Sequence, residues 1–405
     1  MSDDSRRAAA DYRSWHTVTI TVAGAPYTVA TKAGVFADGR VDPAALLLGE
    51  RAAVSPGDVV VQMNCGTGLF GAVVAGVASR VVLTDRNVVS VEAAARTLAA
   101  NNANNAEALL GHGTGPLRGH ISANVVAIRI PEQRLAQLQL LRDAFRVLCL
   151  GGRCYIAGAT NEGIKPAARV LERIFGNANV LAHDSGYRIV VATKRSESLL
   201  GTEDIQSQFL DSDVFNELAV VLRGHSLKLF SRPGVFSWDH LDEATSILAD
   251  VMRVRGGDSV LDLGCGSGAL GLVAANLSET GGVCMVDADV EAVRSSQRSV
   301  TGAGIANARV LASDVAAAVI NERFDVVVTN PPFHVGKATD LRVPLQFIEE
   351  SWEVLSPGGS LFLVANRTLP YERAIVQRFG NIDTVHDGRR FKVLSATKER
   401  STLPR

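Results

Sequence analysis

Aromatic side chains are scarce in this sequence: Phe, Trp and Tyr together make up 5% of it, against 47% hydrophobic residues in all. Such a core must be filled largely by Ala, Val, Leu and Gly, which suits helices packed closely on a largely parallel sheet. The cysteines, five in number (Cys65, Cys149, Cys154, Cys265, Cys284), show no CxxC spacing and are followed by no His pair. That excludes a zinc knuckle and a disulfide framework and predicts reduced thiols. Charge imbalance is also missing. With 41 Lys and Arg against 42 Asp and Glu, the net charge is −1. The whole molecule therefore has no attraction for a polyanion, and any RNA contact must come from a local basic patch. No apolar run reaches the ~18 residues that span a bilayer, and the opening MSDDSRRAAADYRS lacks an apolar signal core. A cytoplasmic protein is expected, with no membrane and no metal partner.

What is present is a repeat. A chain of 405 residues suits two domains of roughly 200 residues each. A shift of 200 positions lays residues 17–71 over 217–271 without a gap. Gly24 pairs with Gly224, Gly34-Val35-Phe36 with Gly234-Val235-Phe236, Asp42 with Asp242, and Cys65-Gly66 with Cys265-Gly266. Beyond this the register drifts by a few residues. VVLTDRN (81–87) matches VCMVDAD (283–289), LCLGGRCYIAG (148–158) matches LSPGGSLFLVA (355–365), and GYRIVVATK (186–194) matches RFKVLSATK (390–398). The expected division is 1–195, a polar joint at 196–213, and 214–405.

Each copy reads as α/β. A hairpin is predicted around Gly24 and Gly224, and a helix over Asp242–Val254, where apolar positions recur at helical spacing. Short apolar runs follow at Ser259–Leu263, Val283–Val286, Arg309–Leu311, Asp325–Thr329 and Ser360–Val364, separated by helical stretches. Apolar strands alternating with helices mean a parallel sheet covered on both faces. The final GRRFKVLSATKE would add an antiparallel edge strand. Two doubly wound, Rossmann-like sheets in tandem are expected.

In the second copy the first of these strands runs into Asp262-Leu263-Gly264-Cys265-Gly266-Ser267-Gly268 and then a helix. Gly264, Gly266 and Gly268 allow a sharp bend and close approach of backbone to a ligand. Dinucleotide and nucleoside sites share such turns. The acid at Asp262 would repel a pyrophosphate but suits a cationic amino-acid group, and Asp287, ending the next strand, can accept ribose hydroxyls. Together they predict S-adenosylmethionine. The competing reading makes Asp262 a helix cap and Asp287 a turn residue. Ser313-Asp314 is a candidate for the adenine amine, against an ordinary loop acid. Cys265 reads as a small turn residue, with no base to make it a nucleophile.

After the fourth strand comes Asn330-Pro331-Pro332-Phe333-His334, at the end of an open sheet that faces the ligand crevice. The prolines fix the backbone and donate nothing. Acceptors from Asn330 and the Pro331 carbonyl can grip both N–H bonds of a conjugated amine and stabilise positive charge growing on its nitrogen. Asn330 also borders the cofactor, and Phe333 offers a flat face to a planar base. His334 fits either a substrate contact or a surface loop.

PGVFS (233–237), LDLGCGSG (261–268), TNPPFHVG (329–336), Leu369-Pro370-Tyr371 and GRRFKV (388–393) together resemble the bacterial rRNA guanine-N2 methyltransferases of the RsmC/RlmG type, class I S-adenosylmethionine-dependent enzymes. The likeness covers most of the C-terminal half and the tandem layout. It implies methylation of guanine N2 in ribosomal RNA, on a base flipped from its stack. Small-subunit (16S) rRNA is favoured over large-subunit rRNA. A protein-glutamine methyltransferase and a non-catalytic RNA-binding assembly factor are the alternatives. Lys337, Arg389, Arg390 and Lys392 become candidates for phosphate contact, against a solvated strand face. The first copy has Gln62-Met63-Asn64-Cys65-Gly66-Thr67-Gly68 in place of the acidic turn and Ile128-Arg129-Ile130-Pro131-Glu132 in place of TNPPF. Asp85 keeps the position of Asp287. A degenerate copy that supports the active half and helps bind RNA is expected.

Overall fold

The computed structural model describes residues 12–119, 121–199, 205–332 and 341–399. They form two units. The first, Ser14–Val214, opens on a hairpin of β1 (His16–Val22) and β2 (Ala25–Thr31), closed by Ala23 and Gly24 at positive φ. There follow α1 (Pro43–Arg51), β3 (Val59–Met63), α2 (Leu69–Ala75), β4 (Arg80–Asp85), α3 (Val88–Ala100), β5 (Ala106–Leu110) and β6 (Ala123–Arg129). α4 (Arg134–Val147), β7 (Leu148–Ala159), α5 (Ile164–Phe175), β8 (Asn179–Asp184) and β9 (Tyr187–Thr193) complete it. The sheet order is β5-β4-β3-β6-β7-β9-β8.

The second unit repeats this plan. β10 (Asn216–Leu222) and β11 (His225–Ser231) form its hairpin, with Arg223 and Gly224 at positive φ. Then come α6 (Glu243–Val251), β12 (Val260–Leu263), α7 (Ala269–Leu277), β13 (Val283–Asp287), α8 (Val290–Gly302), β14 (Ala308–Ala312) and β15 (Phe324–Thr329). α9 (Arg342–Val354), β16 (Leu355–Asn366), α10 (Tyr371–Phe379), β17 (Asp383–Asp387) and β18 (Phe391–Thr397) end it. The order is β14-β13-β12-β15-β16-β18-β17, again seven strands, the first five parallel. All four residues of β12 are buried, as a central strand covered on both faces requires. Equivalent aspartates start equivalent helices: the Asp42 and Asp242 side chains accept from Ala44 N at 3.1 Å and Thr245 N at 2.8 Å.

Three sequence expectations are corrected. The GRRFKV strand is antiparallel but not the edge, because β17 pairs along its outer side. The joint expected at 196–213 is not a free spacer where it is described. Leu210 is fully buried in the core of the first unit, and Leu199 and Ile205 pack against that core. Tyr12 and Arg13, expected in the first domain, belong instead to the second unit. No helix among the described residues is long and apolar enough to cross a membrane.

Candidate active site

The turn after β12 is left-handed at Gly264, Gly266 and Gly268 (φ 80°, 56° and 88°), a conformation that disfavours side chains. A Cβ at Gly266 would meet nothing within 4 Å, so its backbone faces open space. The turn is fixed from below. Gly264 and Cys265 N–H donate to the Val286 carbonyl at 2.9 and 3.0 Å, and the Gly266 N–H donates to Asp287 Oδ2 at 2.9 Å. Asp287 Oδ1 accepts from Asp289 N at 2.9 Å, which locks the carboxylate at the rim of the strand ends.

Asp262 is fully buried. Its Oδ2 accepts from Gly271 N, in the first turn of α7, at 2.8 Å, while Oδ1 is buried without a hydrogen-bond partner. Burial, with Asp287 adding to it, pushes its carboxyl up to about 7 despite the Gly271 bond. A buried carboxyl with one unused oxygen, beside an open glycine backbone and a fixed second carboxylate, fits the cationic and hydroxyl-bearing parts of S-adenosylmethionine. Cys265 is buried and its thiol is pushed up by that burial and by Asp287 and Asp262, as expected for a turn residue rather than a nucleophile.

Asn330 follows β15 directly, at the carboxyl ends of the strands. Thr329, just before it, ties β15 to β12 by donating from Oγ1 to the Leu263 carbonyl at 2.7 Å. The Asn330 amide is clasped from one side: Nδ2 donates to Asp242 Oδ2 at 3.1 Å and to Thr245 Oγ1 at 3.0 Å. With the amide nitrogen tied to this pair, Oδ1 is the other polar atom of the side chain and can only accept. Pro331 is buried and Pro332 exposed. The expectations for Phe333, His334 and Lys337 lie outside the described residues. Sequence reasoning missed Asp242 and Thr245 as the holders of Asn330; the only signal was the pairing of Asp42 with Asp242 in the repeat.

The other candidates are distributed differently from the sequence reading. Both Asp314 carboxylate oxygens are engaged by the start of the chain, Oδ1 by the Tyr12 hydroxyl at 2.6 Å and Oδ2 by Arg13 at 2.8 Å. Arg13 also pairs with Glu350. Ser313 Oγ accepts from Ala318 N at 3.0 Å. These side chains hold the loop. Lys392 is buried against Glu372, because β18 is covered on both faces, and so offers no free cation to a phosphate. Arg389 is exposed, and Arg390, paired with Glu243, keeps 70% of its side chain exposed.

In the first unit the same positions carry other side chains. Gln62 replaces Asp262, its Oε1 accepting from Gly71 N at 3.0 Å. Asp85 accepts from Gly66 N at 3.0 Å, as Asp287 does from Gly266. The registers Met63↔Ile128 and Leu263↔Thr329 make Arg129 the counterpart of Asn330. Its Nε donates to Asp42 Oδ2 at 3.1 Å, and its NH1 lies 2.7 Å from Glu162 Oε2.

The family model for the methyltransferase small domain matches residues 26–191 and again 226–395. A ribosomal RNA small subunit methyltransferase C from Hahella chejuensis is 39% identical over 173 residues, which are 43% of this chain and 50% of the relative. The protein of that name from Serratia proteamaculans is 30% identical over 266 residues, 66% of this chain and 72% of the relative. Among solved structures, a T. thermophilus 16S rRNA N2 guanine methyltransferase, in complex with AdoMet and guanosine, is 28% identical. The match covers 96% of this chain and 100% of that one with a TM-score of 0.81.

Proposed function

The chain belongs to the methyltransferase small domain family, and on that premise we propose that it methylates the exocyclic N2 of a guanine in small-subunit ribosomal RNA. S-adenosylmethionine, when bound, supplies an electrophilic methyl group on a sulfonium. Asp262 and Asp287 bind its amino-acid and ribose portions beside the open Gly266 backbone. The observation that carries the reading is the clasp on Asn330. Its NH2 is tied to Asp242 and Thr245, which leaves its carbonyl oxygen as the acceptor offered to a substrate amine.

A guanine amine is a poor nucleophile because its lone pair is delocalised into the ring. An acceptor fixed on one N–H favours the pyramidal nitrogen that can attack. As the new C–N bond forms and the C–S bond breaks, positive charge rises on that nitrogen, and the same oxygen stabilises it without having to reorganise. The proton leaves after methyl transfer, so no strong base is required beforehand. The relative solved with AdoMet and guanosine supports this assignment of nucleoside and cofactor. Residues 1–195 are, on this reading, mostly a degenerate copy that supports the active one.

The test is transfer of tritiated methyl from S-adenosylmethionine to small-subunit rRNA, large-subunit rRNA and protein, followed by nucleoside mass analysis. N2-methylguanosine in small-subunit rRNA is expected. Label confined to protein, or to another nucleoside, overturns the proposal.

A further inference from the structure

PGVFS (233–237) is a motif to which the mechanism above gives no task. The turn is rigidly held. Arg232 is 1% exposed and paired with Glu291 through Nε at 3.1 Å. Val235 is buried, and its N–H donates to the Arg232 carbonyl at 3.1 Å. Ser237 has a left-handed φ of 48°. Yet this fixed turn presents Phe236 with 63% of its surface exposed. A large ring held out by a stiff backbone forgoes the apolar contact that burial would give it.

The first copy indicates what such a ring covers. Phe36, 200 positions earlier, lies on the equivalent turn, with Val35 buried and Ala37 at φ 62°. The Arg129 guanidinium packs over its ring, with Cζ 4.5 Å from the centroid. Arg129 stands where Asn330 stands in the second copy, and both bond the matching aspartate through a nitrogen at 3.1 Å. The arginine continues past that nitrogen as a flat CN3 group; the asparagine stops there. In the second copy the shorter Asn330 side chain ends at that nitrogen, so among the described residues no guanidinium from this position covers Phe236.

Resting on the function proposed above, we propose that Phe236 is a stacking face for the substrate guanine, whose N1–C2(N2)–N3 edge has the planar CN3 shape that Arg129 presents to Phe36. Arg129 is thus an internal mimic of the substrate edge. Phe236 binds and orients the ring so that N2 meets Asn330, and the contact requires a flat, polarisable face rather than apolar bulk.

Phe236→Ala, Phe236→Tyr and Phe236→Leu variants, with Phe36→Ala as control, are assayed for methyl transfer to small-subunit rRNA and to small subunits from cells lacking the gene. S-adenosylmethionine affinity is measured in parallel by calorimetry. Loss of one base-stacking contact predicts a fall in kcat/KM of about ten- to hundredfold for Phe236→Ala. Phe236→Leu should stay low, Phe236→Tyr should return to within about threefold of wild type, and cofactor affinity and the Phe36→Ala variant should be unchanged. An active wild type with Phe236→Ala near its level, or with Leu serving as well as Tyr, overturns this inference alone. A wild type that labels no RNA defeats the function reading and this inference with it.

Discussion

Arg129 and Asn330 stand at the ends of equivalent strands and bond equivalent helix-capping aspartates, and the difference between them separates a self-paired cluster from the site proposed to be reactive. Arg129 brings a charge into a place where it is only about a tenth exposed, as are Asp42 and Glu162 beside it. Burial works against that charge, but the two carboxylates outweigh it and raise the guanidinium's pKa. Such a cluster is largely satisfied from within, by its own ion pairs and by neighbouring backbone groups. In the second unit Leu369 follows three residues after the end of β16, as Glu162 does after β7, and no second carboxylate is supplied there. The neutral Asn330 amide spends its donors and keeps its acceptor. One backbone thus carries both ends, a short amide in one copy and a long, paired cation in the other.

The sharpest way to break this comparison is to copy one end onto the other. Asn330→Arg should pair with Asp242 as Arg129 pairs with Asp42 and lower kcat by about 10²–10³-fold. Methyl-transfer rates beside thermal melting check it. A variant that keeps a tenth of wild-type kcat would show that the strand-end acceptor is not what activates the amine.

The turns after β3 and β12 make a second contrast. Gln62 and Asp262 accept the same hydrogen bond from the same helix position, so tying down α7 does not require a charge. The acid carries a penalty that glutamine avoids. The folded carboxyl titrates at about 7 against an ordinary 3.8, so between those values the folded chain holds a proton that the unfolded chain has released. Wild-type stability without cofactor should therefore decline as pH rises from 4 to 7 and level off above. Asp262→Asn should lack that decline and be more stable at pH 8, by a margin on the order of a few kcal/mol. If the charge is kept for the cofactor's ammonium, wild-type S-adenosylmethionine affinity should climb as pH passes 7. Asp262→Asn should instead bind roughly ten- to hundredfold more weakly, with no such climb. Melting curves and titration calorimetry at pH 5 and 8 decide it; equal affinity in the two proteins at pH 8 would make Asp262 a cap and nothing more.

Much of this was legible in the sequence because the signals were local. Central strands such as β12 and β15 announce themselves as apolar runs, since a parallel sheet covered by helices buries both faces. Asp262, Asp287 and Asn330 could be picked out because each sits within or just after such a strand. What stayed hidden was long-range. Asp242 reaches Asn330 across 88 positions, and Tyr12 reaches Asp314 across 302, and no periodicity records either contact. β17 (DTVHD) was missed because a short, polar, half-exposed strand looks like a loop. Lys392 was misplaced for a separate reason: the helix α10, which supplies Glu372, covers its face of the sheet.

The tip of the last hairpin gives the mildest contrast. Between β8 and β9 the first unit has only Ser185 and Gly186, whereas between β17 and β18 the second has Gly388, Arg389 and Arg390. The Arg390–Glu243 pair is largely exposed and is worth roughly 0–1 kcal/mol, so a phosphate can replace the carboxylate at little loss. A chain with net charge −1 needs such a local patch if it is to hold RNA. Arg389→Ala with Arg390→Ala should raise the KM for rRNA by about three- to tenfold at low salt, leave kcat unchanged, and flatten the dependence of log affinity on log salt by about one unit or slightly more, as expected for two lost contacts to single-stranded phosphates. An unchanged salt slope would take the hairpin tip off the RNA path, and the longer turn would then distinguish the copies in shape alone.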